Sequence, residues 1–157
     1  MYIEHERFNS MYPDSMDCNT FNRLCFEACR LIDRYTTGVD GVAKLRIAFP
    51  TDEQAADAVH YCAAKIIHML FQIEQVESSA GFDGTEVRRT ISHMESGNES
   101  VTYSDSAKTS VIAAAAADTY LRESLIADTI REYLAGVTDA NGVNLLFMGA
   151  YPRRYLC

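Results

Sequence analysis

The 157-residue chain lacks several features that would point directly to a class of protein. No apolar run approaches the roughly 20 residues that cross a bilayer. The longest run, Val111 to Ala117, is mostly alanine, so we expect no membrane partner. The first ten residues have no apolar core and do not resemble a signal peptide. Five cysteines without a secretion signal indicate free thiols in a reducing cytoplasm.

Basic side chains are scarce. The 14 Lys and Arg residues are outnumbered by 22 Asp and Glu, which gives a formal net charge of −8. Proteins that hold the phosphate backbone need clustered Lys and Arg, so this balance argues against sequence-independent binding of nucleic acids. A helical DNA-binding regulator is unfavourable for the same reason, because it would need a basic recognition helix.

Catalytic motifs are also missing. There is no glycine-rich phosphate loop, no H-E-x-x-H and no G-x-S-x-G, and we expect no catalytic, cofactor or metal site. One alternative remains, a small cytoplasmic helical metal-binding protein or enzyme that uses Cys18, Cys25, Cys29 and His60. Because Cys25 and Cys29 lie within or beside an apolar stripe, we interpret them as small buried hydrophobes.

Three stretches have the periodicity of long helices. Residues 17–36 place apolar side chains at steps of three and four, and Asp17 is a suitable N-cap. Residues 51–75 begin with a T-D-E-Q capping box at 51–54 and keep one apolar face for six turns. Residues 108–136 include five successive alanines, the residue of highest helix propensity.

The sequence therefore predicts a mainly α-helical protein, a small bundle of three long helices that forms a single domain over residues 1–157. The helical core covers about 17–76 and 108–137. We expect the insert at 77–107 to be a loop or a β-hairpin, because it contains alternating segments around a Gly-Asn pair. Residues 138–157 form an extended C-terminal tail.

The tail is rich in large apolar and aromatic groups, whereas chain ends are usually polar. Aromatic residues, Met and Arg are enriched at interfaces, so we interpret the tail as a docking segment. Packing on the chain's own core is the alternative, chiefly for residues 145–148. The candidate partner-binding residues are Leu145, Leu146, Phe147, Met148, Tyr151, Arg153, Arg154 and Tyr155.

The third helix is apolar on more than one side. Leu121 and Leu125 lie away from its main stripe. A helix that is apolar on two sides must bury both. We expect this second side to contact a neighbouring subunit, or alternatively to cover the insert or the N-terminal residues.

Short motifs occur along the chain in a recognisable order. The first helix carries F-N-R-L at 21–24 and I-D at 32–33, and the second begins with the box at 51–54. A segment S-V-T-Y-S occupies 100–104, and the chain approaches its end with N-L-L-F-M-G at 144–149. Together these motifs resemble those of the head-tail connector proteins of long-tailed bacteriophages, also called adaptor or head-completion proteins.

The resemblance implies a structural virion protein in the neck of the particle, made in the host cytoplasm. Copies would form a homo-oligomeric ring, usually of twelve, beneath the portal protein. The ring would extend the DNA channel and offer a surface to a tail terminator or stopper protein. Packaged DNA would pass through without sequence-specific binding. A closed ring needs two different complementary faces on each subunit, for which the candidate residues are Leu121, Leu125, Phe21 and Arg23.

Overall fold

The structure is a computed structural model that describes residues 1–79, 91–94, 101–103 and 110–155. As the sequence predicts, the described chain is mainly helical. It divides into two compact units, one formed by Met1–Phe71 with Ser124–Cys157 and the other by Gln72–Glu123. Within the described residues, no helix has the length and apolar character needed to cross a bilayer.

The elements follow one another as α1 (His5–Met11), α2 (Cys18–Thr36), α3 (Lys44–Ile47), α4 (Glu53–Ser79), β1 (Ile91–Met94), β2 (Val101–Tyr103), α5 (Val111–Ala117), α6 (Thr119–Leu134) and a 3₁₀ turn, η1 (Arg153–Tyr155). The predicted first helix is α2. Its N-cap is Asp17, whose carboxylate accepts a hydrogen bond from the Thr20 amide at 2.7 Å. The sequence prediction of this helix and its cap is confirmed.

The second predicted helix is α4, but its cap differs from the prediction. The Asp52 carboxylate accepts a hydrogen bond from the Ala55 amide at 2.9 Å, and the Asp52 carbonyl accepts one from the Ala56 amide. Asp52, rather than Thr51, therefore caps the helix. A carboxylate here also interacts favourably with the positive end of the helix dipole.

The third predicted helix is interrupted. Asp118 has an extended backbone (φ −132°, ψ 117°) and ends α5, while its carboxylate accepts a hydrogen bond from the Tyr120 amide at 2.7 Å and caps α6. Arg122, on α6, donates from Nε to the Ala115 carbonyl near the end of α5, at 3.2 Å, and pairs with Glu77. The break is therefore held by the side chains of Asp118 and Arg122.

The core of the first unit is formed by the predicted apolar stripes and one addition. From α2, the buried set includes Phe21 and Leu24, and from α6 it includes Ile130 and Leu134. The addition is α1, whose Phe8 packs against Phe21 with ring centroids 5.2 Å apart. On the part of α4 in this unit the buried face is wider than the single predicted stripe, since it consists of Val59, Cys62, Ala63, Ala64, Ile66, Ile67, Met69 and Leu70.

In the predicted insert, β1 and β2 form a two-stranded antiparallel sheet. Ile91 pairs with Tyr103 and Met94 with Val101, with an irregularity in register between Ile91 and His93. The rest of the insert from residue 80 onward, and the predicted helix start at 108, lie outside the described residues.

Two turns of the first unit share one geometry and one sequence pattern, T-x-x-[D/N]-G-V. The first is bridged by Thr37 and Ala43 and the second by Thr138 and Asn144. Each turn contains a glycine, Gly41 or Gly142, whose φ is near +75°. Glycine adopts this left-handed backbone conformation without the steric cost that other residues incur. The first turn follows α2 and the second follows α6. The C-terminal segment is hydrogen-bonded to the first turn.

Candidate docking surface

The C-terminal segment is anchored by a lysine that lies about a hundred residues earlier in the chain. The Lys44 side chain is fully buried, and its Nζ donates to the Leu145 carbonyl at 3.0 Å and to the Phe147 carbonyl. Burial lowers the pKa of Lys44, while the Asp139 and Asp40 carboxylates act in the opposite direction. The ammonium group thus donates its hydrogen bonds to the backbone carbonyls of the tail.

Two aspartates of the matching turns hold the same segment. The Asp40 carboxylate accepts hydrogen bonds from the Tyr151 amide at 2.6 Å and the Val42 amide at 3.2 Å, and the first of these lowers the pKa of Asp40. The buried Asp139 carboxylate accepts the Tyr151 hydroxyl at 2.5 Å and the Val143 amide at 2.8 Å. Tyr151 is therefore fixed at both its backbone and its hydroxyl.

An exposed apolar surface results from this anchoring. Phe147 is 52% exposed and Met148 54%, and the Val39 side chain on the first turn is 79% exposed. The Val39 amide donates to the Met148 carbonyl at 2.9 Å, which joins the turn to the tail. We call Val39, Phe147 and Met148 the end patch. Its backbone is fixed, although its side chains are open to solvent.

The structure separates the predicted tail residues into two groups. Leu145 and Tyr151 are buried within the chain, so neither side chain offers a surface to a partner in this conformation. Their burial is the alternative that the sequence left open for part of the tail. The surface group includes Phe147 and Met148, together with the exposed Arg153 and Arg154. Leu146 and Tyr155 are half-buried.

The predicted subunit-interface residues also separate. Phe21 is fully buried beneath Phe8, so it supports the fold and offers no surface to a neighbour. Arg23 is exposed on α2, Leu121 is 44% exposed on α6 and Leu125 is half-buried. The apolar surface at Leu121 is thus the part of this prediction that remains available for contact.

Three residues escaped the sequence analysis. Val39 had a usable signal, because an apolar side chain between Gly38 and Asp40 is unusual at the tip of a turn. Tyr120, which is 77% exposed beside Leu121, had a weaker sequence signal, since it lies off the main apolar stripe of the third predicted helix. Lys44 had none, because its acceptors lie far away in the sequence.

The cysteines and histidines do not form a metal centre in the part of the chain that the structure describes, where no three His, Cys, Asp or Glu side chains converge. Cys18 is exposed, whereas Cys25 and Cys29 are buried. His60 contacts the Tyr2 carbonyl through Nδ1 and packs on the Phe49 ring at 5.7 Å.

A polar network fixes the N-terminal residues on α2. The Tyr2 hydroxyl donates to the Asp33 carboxylate, which also accepts from Arg46 Nε at 2.7 Å. Burial and the bond to Asp33 raise the pKa of Tyr2. The network satisfies a buried carboxylate and thus explains its position without a catalytic role.

Comparisons of the chain with protein-family models, with curated proteins and with solved structures find no significant match.

Proposed function

We propose that the chain is a subunit of a phage head-tail connector. It assembles into a ring beneath a portal protein in the neck of the virion, extends the DNA channel and presents a surface to a tail terminator or stopper protein. The motifs of the sequence suggested this function. The observation that carries it further is the end patch of Val39, Phe147 and Met148.

The end patch suits docking because its backbone is already ordered. Lys44 binds the carbonyls on either side of Leu146, and Val39 is bonded to Met148. A partner that covers the patch therefore orders side chains but little backbone, which lowers the entropic cost of binding. The exposed Phe147 and Met148 are residue types enriched at protein interfaces. We assign this patch to the portal.

A ring also needs a contact between copies. Tyr120 and Leu121 are large, exposed and adjacent on α6, and they belong to the second unit rather than to the unit that carries the end patch. In a closed ring the contact is heterologous, so that one face of each copy meets a different face of the next copy. We assign Tyr120 and Leu121 to the subunit interface.

The charge of the chain suits a channel wall. With a net charge of −8, the subunit repels the DNA backbone more than it attracts it. DNA that slides through such a ring meets few basic side chains that would hold it. The acidic balance therefore supports passage rather than binding.

Light scattering on the purified chain, alone and mixed with a candidate portal protein, tests the proposal. We expect a ring-sized species either for the chain alone or in the mixture. Burial of one large apolar side chain contributes about 1.5–3 kcal/mol, so Phe147→Ser with Met148→Ser should weaken portal binding at least about a hundredfold. Tyr120→Ser with Leu121→Ser should abolish the ring.

Phe26→Ser is the matched control, because Phe26 is 66% exposed on α2 and lies outside both surfaces. It should leave assembly and portal binding unchanged. A chain that stays monomeric and does not bind the portal protein contradicts the proposal. So does equal loss of assembly in the Phe26 control, which would indicate non-specific effects of apolar-to-polar substitution.

A further inference from the structure

The exposed side of α2 is basic, although the chain as a whole is acidic. Arg23, Arg30 and Arg34 are all exposed and recur at intervals of seven and four residues, which places them within about 40° of one another around the helix. The acidic residue that α2 exposes is Glu27. We call the three arginines the arginine face. Each guanidinium has five N–H donors, so an arginine that is already bonded within its chain keeps others for a partner.

A surface of opposite charge lies at the start of α4. Glu53 is exposed, the Asp57 side chain is 38% exposed and Tyr61 is 47% exposed. These residues line a groove of about 600 Å³. They follow one another at intervals of four, so they form a row about 12 Å long, which we call the acidic face. One Asp57 oxygen accepts a hydrogen bond from Arg7 at 2.5 Å, and a carboxylate has a second oxygen for another donor.

The chemistry of the acidic face suits a guanidinium. Carboxylates bind arginine through two parallel hydrogen bonds, which a lysine ammonium does not provide. The exposed Tyr61 ring continues the row and offers a flat surface on which a guanidinium stacks favourably. An arginine-bearing surface is therefore the partner that this face fits.

The two faces also match in spacing. Arg30 and Arg34 are one helical turn apart, about 6 Å, and so are Glu53 and Asp57. Two helices that lie side by side thus bring both arginines to both carboxylates at once. In the antiparallel order, Arg34 meets Glu53 and Glu27 lies toward the far end of the acidic row. The parallel order would bring Glu27 toward the carboxylate that caps α4, so the antiparallel order is favoured.

We propose that the arginine face of one copy docks on the acidic face of the next copy. The inference rests on the proposed ring, because it names the two different faces that a heterologous contact requires. Both faces belong to the first unit. Exposed ion pairs contribute little affinity, but complementary charges fix which faces meet and in what register. The apolar surface at Tyr120 and Leu121 then contributes affinity.

Phe26 does not belong to the arginine face. Around α2 it lies about 40° from Arg30 and about 80° from Arg34, and it lines a separate cleft with Met1 and Cys29. The proposed contact therefore depends on the charges of α2 rather than on its exposed phenylalanine.

Exchange of the charges tests the contact by sedimentation velocity of the full-length chain without portal protein. The first variant carries Arg30→Glu with Arg34→Glu, and the second carries Glu53→Arg with Asp57→Arg. Each places like charges opposite one another, so each should weaken self-association at least about tenfold. A mixture of the two should recover nearly the wild-type association, because their intact faces match and their reversed faces also match.

The matched control is Arg153→Glu with Arg154→Glu. These arginines are exposed outside both faces, and their reversal changes the net charge by the same amount as the first variant. Self-association should stay within about twofold of the wild-type value. Far-ultraviolet circular dichroism checks that each variant is folded. The single exchanges Arg34→Glu and Glu53→Arg leave the pair of Arg7 and Asp57 intact and repeat the test if the double variant at α4 unfolds.

Several results would overturn the proposal. A wild-type chain that sediments as one copy at every concentration does so, as do charge variants that associate like the wild type. Failure of the mixture to recover association, or an equal loss in the control, also contradicts it. So does binding of a short DNA duplex that depends on Arg30 and Arg34 while self-association does not. A ring that still forms on the portal with all variants would leave the connector function standing and reject only this assignment of faces.

Discussion

The Lys44 ammonium group lies 3.0 Å from the carbonyl oxygen of Leu145, a residue 101 positions away in the sequence. Lys44 begins the four-residue helix α3, and Leu145 is a buried residue of the C-terminal segment. A charged group without an opposing carboxylate in direct contact is here satisfied by backbone carbonyls. The bond fixes the segment that presents Phe147 and Met148 to solvent.

Lys44→Met should destabilise the protein, because it keeps the length of the side chain but leaves two carbonyls without their donor. A buried acceptor that loses its partner costs about 1–3 kcal/mol. Removing the buried charge offsets part of this, so we expect a net loss of about 2 kcal/mol in urea unfolding. Hydrogen exchange at the Val39 amide, which is bonded to Met148, should also accelerate.

Lys65→Met is the control for this substitution, since Lys65 is half-buried on α4. Its effect should stay within about 0.5 kcal/mol. Unchanged stability and unchanged exchange in Lys44→Met would mean that water replaces the ammonium group at both carbonyls.

Sequence periodicity predicted α2 well, because its buried face follows from side chains on one helix. The interruption at Asp118 was missed for a local reason, since the five alanines before it favour a helix, whereas the Asp118 carboxylate competes for the backbone amides that follow. The contact of Lys44 with Leu145 was missed because it joins residues that are far apart in the sequence. No pattern within a helical window indicates which buried lysine finds a carbonyl a hundred residues away.

The sequence predicted only part of the end patch, namely Phe147 and Met148. Phe147 and Met148 drew attention as large apolar residues near the end of the chain. Burial of Leu145 and Tyr151 depends on Lys44, Asp40 and Asp139, all supplied by other segments. Composition therefore located the segment, but only the tertiary contacts decide which of its side chains face solvent.

Gly38→Ala should destabilise the first turn. A Cβ at Gly38 would lie 2.5 Å from the Gly149 carbonyl oxygen, which is backbone and cannot rotate away. Forced backbone shifts of this kind cost about 1–3 kcal/mol. We expect a loss in that range in urea unfolding.

Gly41→Asn is the contrasting control in the same turn. Gly41 has φ +75° and nothing within 4 Å of a Cβ, and asparagine visits the left-handed region more readily than most residues. This variant should lose less stability in urea unfolding than Gly38→Ala. If the two rank in the opposite order, backbone conformation rather than the crossing with Gly149 limits the turn.

Tyr151→Phe should destabilise the C-terminal segment by removing one hydroxyl. That hydroxyl donates to Asp139 at 2.5 Å and accepts from Asn141 Nδ2 at 2.9 Å. Loss of a hydrogen bond to a charged group costs about 1.5–3 kcal/mol. Thermal or urea unfolding measures the change, and Tyr155→Phe, on the half-buried neighbouring ring, should change stability by less. Equal effects of the two substitutions would contradict the role of Asp139.

Cys62 should make stability fall at alkaline pH. Burial on α4 raises the pKa of this thiol from 9.0 to about 12. Above pH 9 the unfolded chain loses the proton that the folded chain keeps, so the unfolded state binds fewer protons and stability decreases as pH rises. The contribution of Cys62 to stability is fully present below pH 9 and is lost as the pH rises from 9 to about 12. Between these two pKa values the loss approaches about 1.4 kcal/mol per pH unit.

Cys62→Ala removes this contribution, so its stability deficit relative to the unsubstituted protein should shrink by about 1 kcal/mol between pH 9 and pH 10. Urea unfolding with a reductant present, at pH 7, 9 and 10, gives the comparison. Other groups that titrate in this range are common to both proteins and cancel. Cys18→Ala, at an exposed position, should leave the pH dependence unchanged. A constant deficit in Cys62→Ala at all three pH values would mean that Cys62 ionises as readily in the folded protein as in the unfolded chain.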